Sequence, residues 1–177
     1  NKNNQPALLP YYPQMTQYSI DAQLTTEEWI WKFEGIIRDW QKSNINTRQL
    51  QDETFFAFTG GFEYTFVGIA ESSADLGLVT EYLYDDRGLQ ATSIFQNDIM
   101  LGLRLALNDA DSSEALLGII YDIDNQEHFI SLEASQRFSG NWTAALEVRG
   151  FNNVNQLSRL KTIENDDFIQ LDITYYF

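Results

Sequence analysis

The chain has 177 residues, a formal net charge of -15 and no cysteine, and its length fits a single domain. The lack of cysteine excludes a disulfide scaffold and a thiolate metal site. The acidic balance predicts no nucleic-acid partner, because no basic stripe could neutralise phosphates. No apolar run reaches the roughly 20 residues that a membrane helix needs, but membrane-crossing strands need only alternating hydrophobicity. No signal peptide begins at Asn1, so we expect an exported protein of this sequence to be mature or partial.

The N-terminal residues 1–16 are polar and contain three prolines. They predict an arm or external loop rather than a strand, since proline cannot donate to a strand ladder. The region predicted as strands covers residues 17–177, and its first alternating stretch runs from Tyr18 to Leu24, with apolar residues at every second position.

The second stretch allows two interpretations. Residues 26–41 fit a helix, because Thr26 followed by Glu27 and Glu28 resembles an N-cap region. The strict alternation of Trp29, Trp31 and Phe33 with other residues favours a strand. In the third stretch, the glycine pair at 60–61 predicts a bend or a bulge.

The same alternation continues to the end of the chain. It predicts an all-β fold of about nine strands, each roughly ten residues long and joined as an antiparallel up-and-down meander. Long polar connections are predicted at 41–53, 86–95, 123–127 and 152–166, and short turns near Thr25, Ser72, Asp109 and Gly140.

The final strand places Ile169, Leu171, Ile173, Tyr175 and Phe177 on one apolar face. An aromatic last residue, with apolar residues at alternate positions behind it, resembles the C-terminal assembly signal of Gram-negative outer-membrane β-barrels. This resemblance implies a transmembrane β-barrel in the bacterial outer membrane. It also implies contact with outer-membrane lipid, with lipopolysaccharide and with the outer-membrane assembly machinery.

The opposite faces of the strands carry charges of both signs with interspersed small residues, which is typical of a wet barrel lumen. The apolar faces of the last five strands carry no charge, as hydrocarbon requires. A soluble β-sandwich is the alternative. Predicted lumen-lining residues are Asp21, Lys32, Glu34, Arg38, Glu63, Glu81, Arg104, Glu114, Glu133, Arg137, Glu147, Arg149 and Asp172.

The lumen charges allow two uses. Paired charges, with Lys32 near Glu34 or Arg137 near Glu147 and Arg149, would fill and rigidify a closed barrel. Unpaired charges in a wider ring would set ion selectivity, and the acidic excess would then favour cations.

Aromatic residues are predicted at both ends of the strands, as in the girdles of membrane barrels. Beside the short turns lie Trp29, Phe66, Phe138, Trp142 and Phe177, and beside the long loops lie Tyr18, Tyr84, Tyr121 and Phe168.

The resemblance implies a periplasmic C-terminus, so the short turns would be periplasmic and the long loops external, in regular alternation. An odd strand count would then leave the first strand starting outside, whereas bacterial barrels usually have an even number of strands. Either the chain is the C-terminal part of a larger barrel, or its first strand pairs with another chain. The remaining alternative is a miscounted strand within 1–16 or 41–53.

Candidate chemistry is sparse. The single histidine, His128, has Ser131 on the opposite face, so we predict no catalytic site and no enzyme. The acidic stretch 122–127 resembles the start of a calcium loop but lacks its glycine and its last glutamate. We therefore predict no dedicated metal site and no cofactor, and at most loose binding of divalent cations at an acidic external rim. The predicted function is porin-like passage of small solutes. The alternative is a closed barrel that serves as an anchor or as a subunit of an outer-membrane assembly.

Overall fold

The computed structural model describes residues 12, 14–43 and 50–177, and these form an all-β fold with no α-helix among them. Short 3-10 turns occur at Ile69–Glu71, Gly88–Gln90 and Arg159–Thr162. In the described ranges, no helical segment is long and apolar enough to cross a bilayer. The strands are β1 (Met15–Thr26), β2 (Trp29–Ser43), β3 (Leu50–Phe66), β4 (Asp75–Asp85), β5 (Asn97–Ala106), β6 (Glu114–Asp122), β7 (His128–Phe138), β8 (Trp142–Asn152) and β9 (Phe168–Tyr175).

The nine strands form one sheet in the order β1 to β9, and every neighbouring pair is antiparallel. This confirms the predicted up-and-down meander, and it confirms β2 as a strand rather than a helix. Within the described residues β1 and β9 are not paired with each other, so the sheet is open. Because neighbours alternate in direction, β1 and β9 run the same way.

The predicted loop at 41–53 is wrong at both of its ends, and residues 44–49 between them lie outside the described residues. The β2–β3 ladder continues beyond Gln41, through its pair with Asp52, to the pair of Ser43 with Leu50. Ladder hydrogen bonds come from the backbone, so a polar stretch can extend a hairpin that its hydrophobicity does not reveal. At the N-terminus, β1 begins at Met15, inside the predicted arm, while residues 1–11 and 13 lie outside the described residues.

The predicted regular alternation of short and long connections also fails. The connection at 123–127 is shorter than those at 67–74 and 107–113, which were predicted to be short turns. Segment 67–74 is long because it contains a 3-10 turn, which the backbone N–H of Gly68 stabilises by donating to Asp75 Oδ1 at 3.0 Å. Connection length therefore gives no independent evidence for the orientation of the chain.

The cross-strand register gives the sheet two distinct faces. Directly paired residues share a face, and the register is continuous across all eight strand pairs. One row of the face that we call the apolar face reads Thr26, Trp29, Tyr64, Leu78, Leu103, Leu117, Leu132, Val148 and Ile169. Across β5–β9 this face has no Asp, Glu, Lys or Arg.

The strands are strongly staggered. The row just described begins at Thr26, the last residue of β1, but it reaches β9 at Ile169, six residues before that strand ends at Tyr175. β1 and β9 run in the same direction, so their last residues lie at the same end of the strands. A path across the sheet therefore climbs steadily along the strands.

The sheet encloses little apolar core. Among the described residues, the buried apolar side chains are Phe55, Ala74, Ala91 and Leu160. β1 and β9 are exposed along their full length, on both faces. Large side chains of the apolar face stay accessible even in central strands, as Leu101 at 49% and Leu103 at 42% illustrate. The nine strands form a single layer with nothing packed against its apolar side in the described part of the chain.

Candidate functional site: the charged face

The register brings all thirteen predicted lumen residues to one face of the sheet, opposite the apolar face. We call this the charged face. Its set contains eight acidic and five basic side chains: Asp21, Lys32, Glu34, Arg38, Glu63, Glu81, Arg104, Glu114, Glu133, Arg137, Glu147, Arg149 and Asp172.

The clearest charge network on this face lies across β7 and β8. Arg149 Nε donates to Glu147 Oε1 at 2.6 Å, and Arg149 Nη2 contacts Glu133 Oε1 at 3.2 Å. The expected pairing of Arg137 with Glu147 is wrong, because the register sets Arg137 opposite Thr143. One guanidinium thus bridges two carboxylates that the register sets directly opposite each other, and one negative charge of the two stays uncompensated.

A second network joins β2 and β3. Lys32 pairs with Glu63 on the neighbouring strand, rather than with Glu34 on its own strand. Glu63 is the diagonal neighbour of Lys32 across the ladder, two residues along β3 from Gly61, the direct partner of Lys32. Arg38 donates from Nε to Gln17 Oε1 at 2.8 Å, which ties β2 to β1.

Across β5–β9 the face forms an open cleft of ≈ 300 Å³, whose lining includes Glu133 and Glu147 of the first network. Arg104 and Glu114 approach to 3.8 Å on one side of it, and both are more than half exposed. Asp172 of β9 lines the other side. The cleft is open, mixed in charge and acidic on balance, so it can attract hydrated cations.

Three acidic side chains are buried at the end of the sheet that carries the connections 86–96, 123–127 and 153–167, which we call the loop end. The sequence did not single them out as a group. Asp98, Asp122 and Glu127 are each under 5% exposed. Asp98 and Asp122 are directly paired across β5 and β6, just beyond the apolar-face pair of Ile99 with Tyr121.

The carboxylates of the acidic turn at 122–127 hold the loops in place. Asp122 accepts from the backbone N–H of Asn125 at 2.6 Å and from its Nδ2 at 3.0 Å. Glu127 accepts from the backbone N–H of Asn155 at 2.7 Å and from Ser158 Oγ at 3.0 Å. The described residues contain no cluster of three or more side chains that could hold a metal ion. The two buried carboxylates of this turn, Asp122 and Glu127, thus accept hydrogen bonds that hold the turn and the neighbouring loop.

At the opposite end of the sheet, which we call the turn end, two of the predicted aromatic residues make ring contacts with tyrosines outside the predicted group. Trp29 lies 4.5 Å from Tyr64 between ring centroids, and Trp142 lies 4.8 Å from Tyr175. All four belong to the apolar face. The fully exposed Phe177 lies 6.4 Å from Tyr175, so the terminal aromatic extends this group.

At the loop end the aromatic prediction needs one correction. Tyr121 contacts His128 at 4.9 Å between ring centroids on the apolar face, and Ser131 lies on the opposite face from His128. Phe168, which was predicted among the outer aromatics, is paired with Arg149 and therefore lies on the charged face. Its neighbour Ile169 takes the apolar position, which follows from the period of two.

Comparison with protein-family models, with curated proteins and with solved structures gives no match for this chain. The fold defines its class: an all-β protein built on one open, nine-stranded antiparallel meander with an apolar and a charged face.

Proposed function

We propose that this chain forms the wall of a transmembrane β-barrel in a bacterial outer membrane, and that its charged face lines a porin-like passage for small solutes. The observation that carries the proposal is the uncovered apolar face. Soluble monomers rarely expose a continuous apolar patch beyond a few hundred Å². Here accessible apolar side chains extend from Ile20 in β1 to Ile173 in β9, with no second layer against them in the described ranges.

Strand length and stagger support the same proposal. Strands β4–β9 have 8–11 residues, close to the length that crosses a bilayer when tilted. The apolar row from Thr26 to Ile169 climbs six residues, about 20 Å, over eight strand spacings of about 4.8 Å. That slope of roughly 30° approaches the tilt of about 35–45° in barrels.

Closure of the barrel requires further strands. An open sheet edge in hydrocarbon would leave backbone N–H and C=O groups unsatisfied, at several kcal/mol each. β1 and β9 run in the same direction, so joining them directly, or joining β9 to β1 of a second copy in the same membrane orientation, would make a parallel pair. An odd number of additional strands, from the same protein or from another chain, would complete an antiparallel barrel.

The charged face determines what such a barrel would pass. The thirteen predicted lumen residues on this face, eight acidic and five basic, predict a preference for cations. The expected surroundings are outer-membrane lipid and lipopolysaccharide, and the exposed apolar terminus of β9 resembles the signal that outer-membrane assembly machinery reads.

The alternative is a closed barrel that acts as an anchor or as a subunit of an outer-membrane assembly. Two groups of ion pairs favour this alternative, because paired charges can fill the interior of a closed barrel. They join Arg149 to Glu133 and Glu147, and Lys32 to Glu63. A measurement of ion conductance distinguishes the two functions, because a passage conducts ions and a closed barrel does not.

The test is reconstitution into planar bilayers with a salt gradient. Stepwise openings with a cation-selective reversal potential support the passage. The absence of conductance at high protein load, from protein that is inserted and protected from protease, supports the anchor. A polypeptide that stays monodisperse in plain buffer without any amphiphile would rule out both, since its apolar faces would then cover each other.

A further inference from the structure

The two faces of the sheet differ in burial at the loop end. On the charged face, Phe55 is 2% exposed and Asp98 is 3% exposed. Their sequence neighbours on the apolar face, Phe56 and Ile99, are both 38% exposed. Burial at this end is therefore one-sided, and the covering groups lie over the charged face.

The first covering segment is the β4–β5 connection, residues 86–96. The guanidinium of Arg87 lies 3.5 Å from the ring centroid of Phe55, a charged-face side chain. Arg87 also donates to both carboxylate oxygens of Asp85, at 2.8 and 2.6 Å. These contacts bend the segment over the charged face.

The second covering segment is the β8–β9 connection, residues 153–167. It passes over the β6–β7 turn, where Glu127 accepts from Asn155 and Ser158. It then reaches the first segment, where Arg159 Nε donates to the carbonyl oxygen of Ala91 at 2.9 Å. Ala91 is 1% exposed and the adjacent Leu160 is 6% exposed. The two connections therefore meet although β6 and β7 stand between the strand pairs that they join.

We infer that segments 86–96 and 153–167 form a lid over the outer mouth of the charged interior, latched by Arg159 and Glu127, which restricts the size of solute that can enter. The inference rests on the proposed barrel for its effect on passage. The lid contacts themselves stand on the described loops. Entry would be limited at this mouth rather than at the wider, exposed Arg104–Glu114 region below it.

The experiment places one cysteine under the latch. The natural sequence has none, and Ala91→Cys adds a single small atom at a site that is 1% exposed. A membrane-impermeant maleimide is then applied to the purified, detergent-solubilised full chain. We expect slow labelling in the Ala91→Cys protein and about tenfold faster labelling when Arg159→Ala is added, since one net hydrogen bond is worth roughly that factor. Glu127→Gln, which weakens the second latch, should also accelerate labelling.

Lys161→Ala is the matched control. Lys161 is a basic residue two positions from Arg159 whose ion pair is with Glu164 in the same segment. Its removal should leave the labelling rate unchanged. Fast labelling of the Ala91→Cys protein, or equal acceleration of its labelling by Arg159→Ala and by Lys161→Ala, would overturn the lid. Circular dichroism checks that each variant keeps its strand content.

Passage is measured separately. In a conducting preparation, Arg159→Ala should admit larger neutral polymers than the parent and Lys161→Ala should not. Accelerated labelling with an unchanged polymer cut-off would overturn the restriction while leaving the latch. A preparation that does not conduct contradicts the proposed passage, and the labelling result still decides the latch.

Discussion

Gly61 of β3 and Thr80 of β4 approach so closely that a Cβ on Gly61 would lie 2.1 Å from the carbonyl oxygen of Thr80. Gly61 faces the charged side of the sheet, and its register is unbroken, with Glu81 directly opposite. The unbroken register excludes a bulge at 60–61 and leaves the predicted bend. The close approach lies on the charged side, which is the side toward which a barrel with a charged interior would have to curve.

Gly61→Ala should destabilise the protein by about 1–3 kcal/mol, because the added methyl meets backbone, which cannot move aside as a flexible side chain would. Gly118→Ala is the matched control, since Gly118 also lies on the charged face and an added Cβ would meet nothing within 4 Å. Denaturant unfolding in detergent micelles, followed by tryptophan fluorescence, measures both. Equal midpoints for the two variants would contradict the bend.

Removal of Arg149 should increase cation selectivity more than removal of Arg137. Arg149→Gln deletes one positive charge and also releases Glu133 and Glu147 from their shared partner. Arg137→Gln deletes the same charge, but Arg137 forms no ion pair with the described residues. The loss of stability should be small, about 0–1 kcal/mol, as for other exposed pairs. Reversal potentials in a potassium chloride gradient compare the variants, and equal shifts would mean that the network has no role in selectivity.

The strands could be predicted because their signal is local. A period of two places Trp29, Trp31 and Phe33 on one face whatever the neighbouring strand does, and the register confirms that face. The same rule assigned all thirteen charged-face residues correctly to one side. Alternation fails where the side chains are polar on both faces, which is why the extension of β2 and β3 beyond Gln41 was assigned to a loop.

The pairings at the site could not be predicted because they depend on register. The choice of Glu63 over Glu34 by Lys32 follows from a cross-strand diagonal that the sequence does not encode locally. The contact of Arg159 with Ala91 joins residues 68 positions apart in two irregular segments, and no periodicity reports such a contact.

Phe177→Ala should lower the yield of assembled protein in the outer membrane of an expressing Gram-negative cell. Phe177 is fully exposed and extends the aromatic group of Tyr175, as a signal read by another protein must be accessible. Tyr176→Ala is the control, since Tyr176 is aromatic, 61% exposed and adjacent. Refolding of both variants into detergent in vitro should be equal. Equal loss of assembly in cells would show that the terminus is not read at alternate positions.

The membrane assignment itself can be tested with two adjacent leucines in β6. Leu117 lies on the apolar face, in the row that contains Leu103 and Leu132, whereas Leu116 lies on the charged face opposite Glu133. An arginine at mid-depth on a lipid-facing position costs about 2–4 kcal/mol, while one that faces a wet interior costs little. We therefore expect Leu117→Arg to unfold at a much lower denaturant concentration in lipid vesicles than Leu116→Arg, which should remain close to the wild type. If the apolar face were instead the inner side of a soluble sandwich, both proteins would be insensitive to lipid, and Leu117→Arg would lose its fold equally in plain buffer.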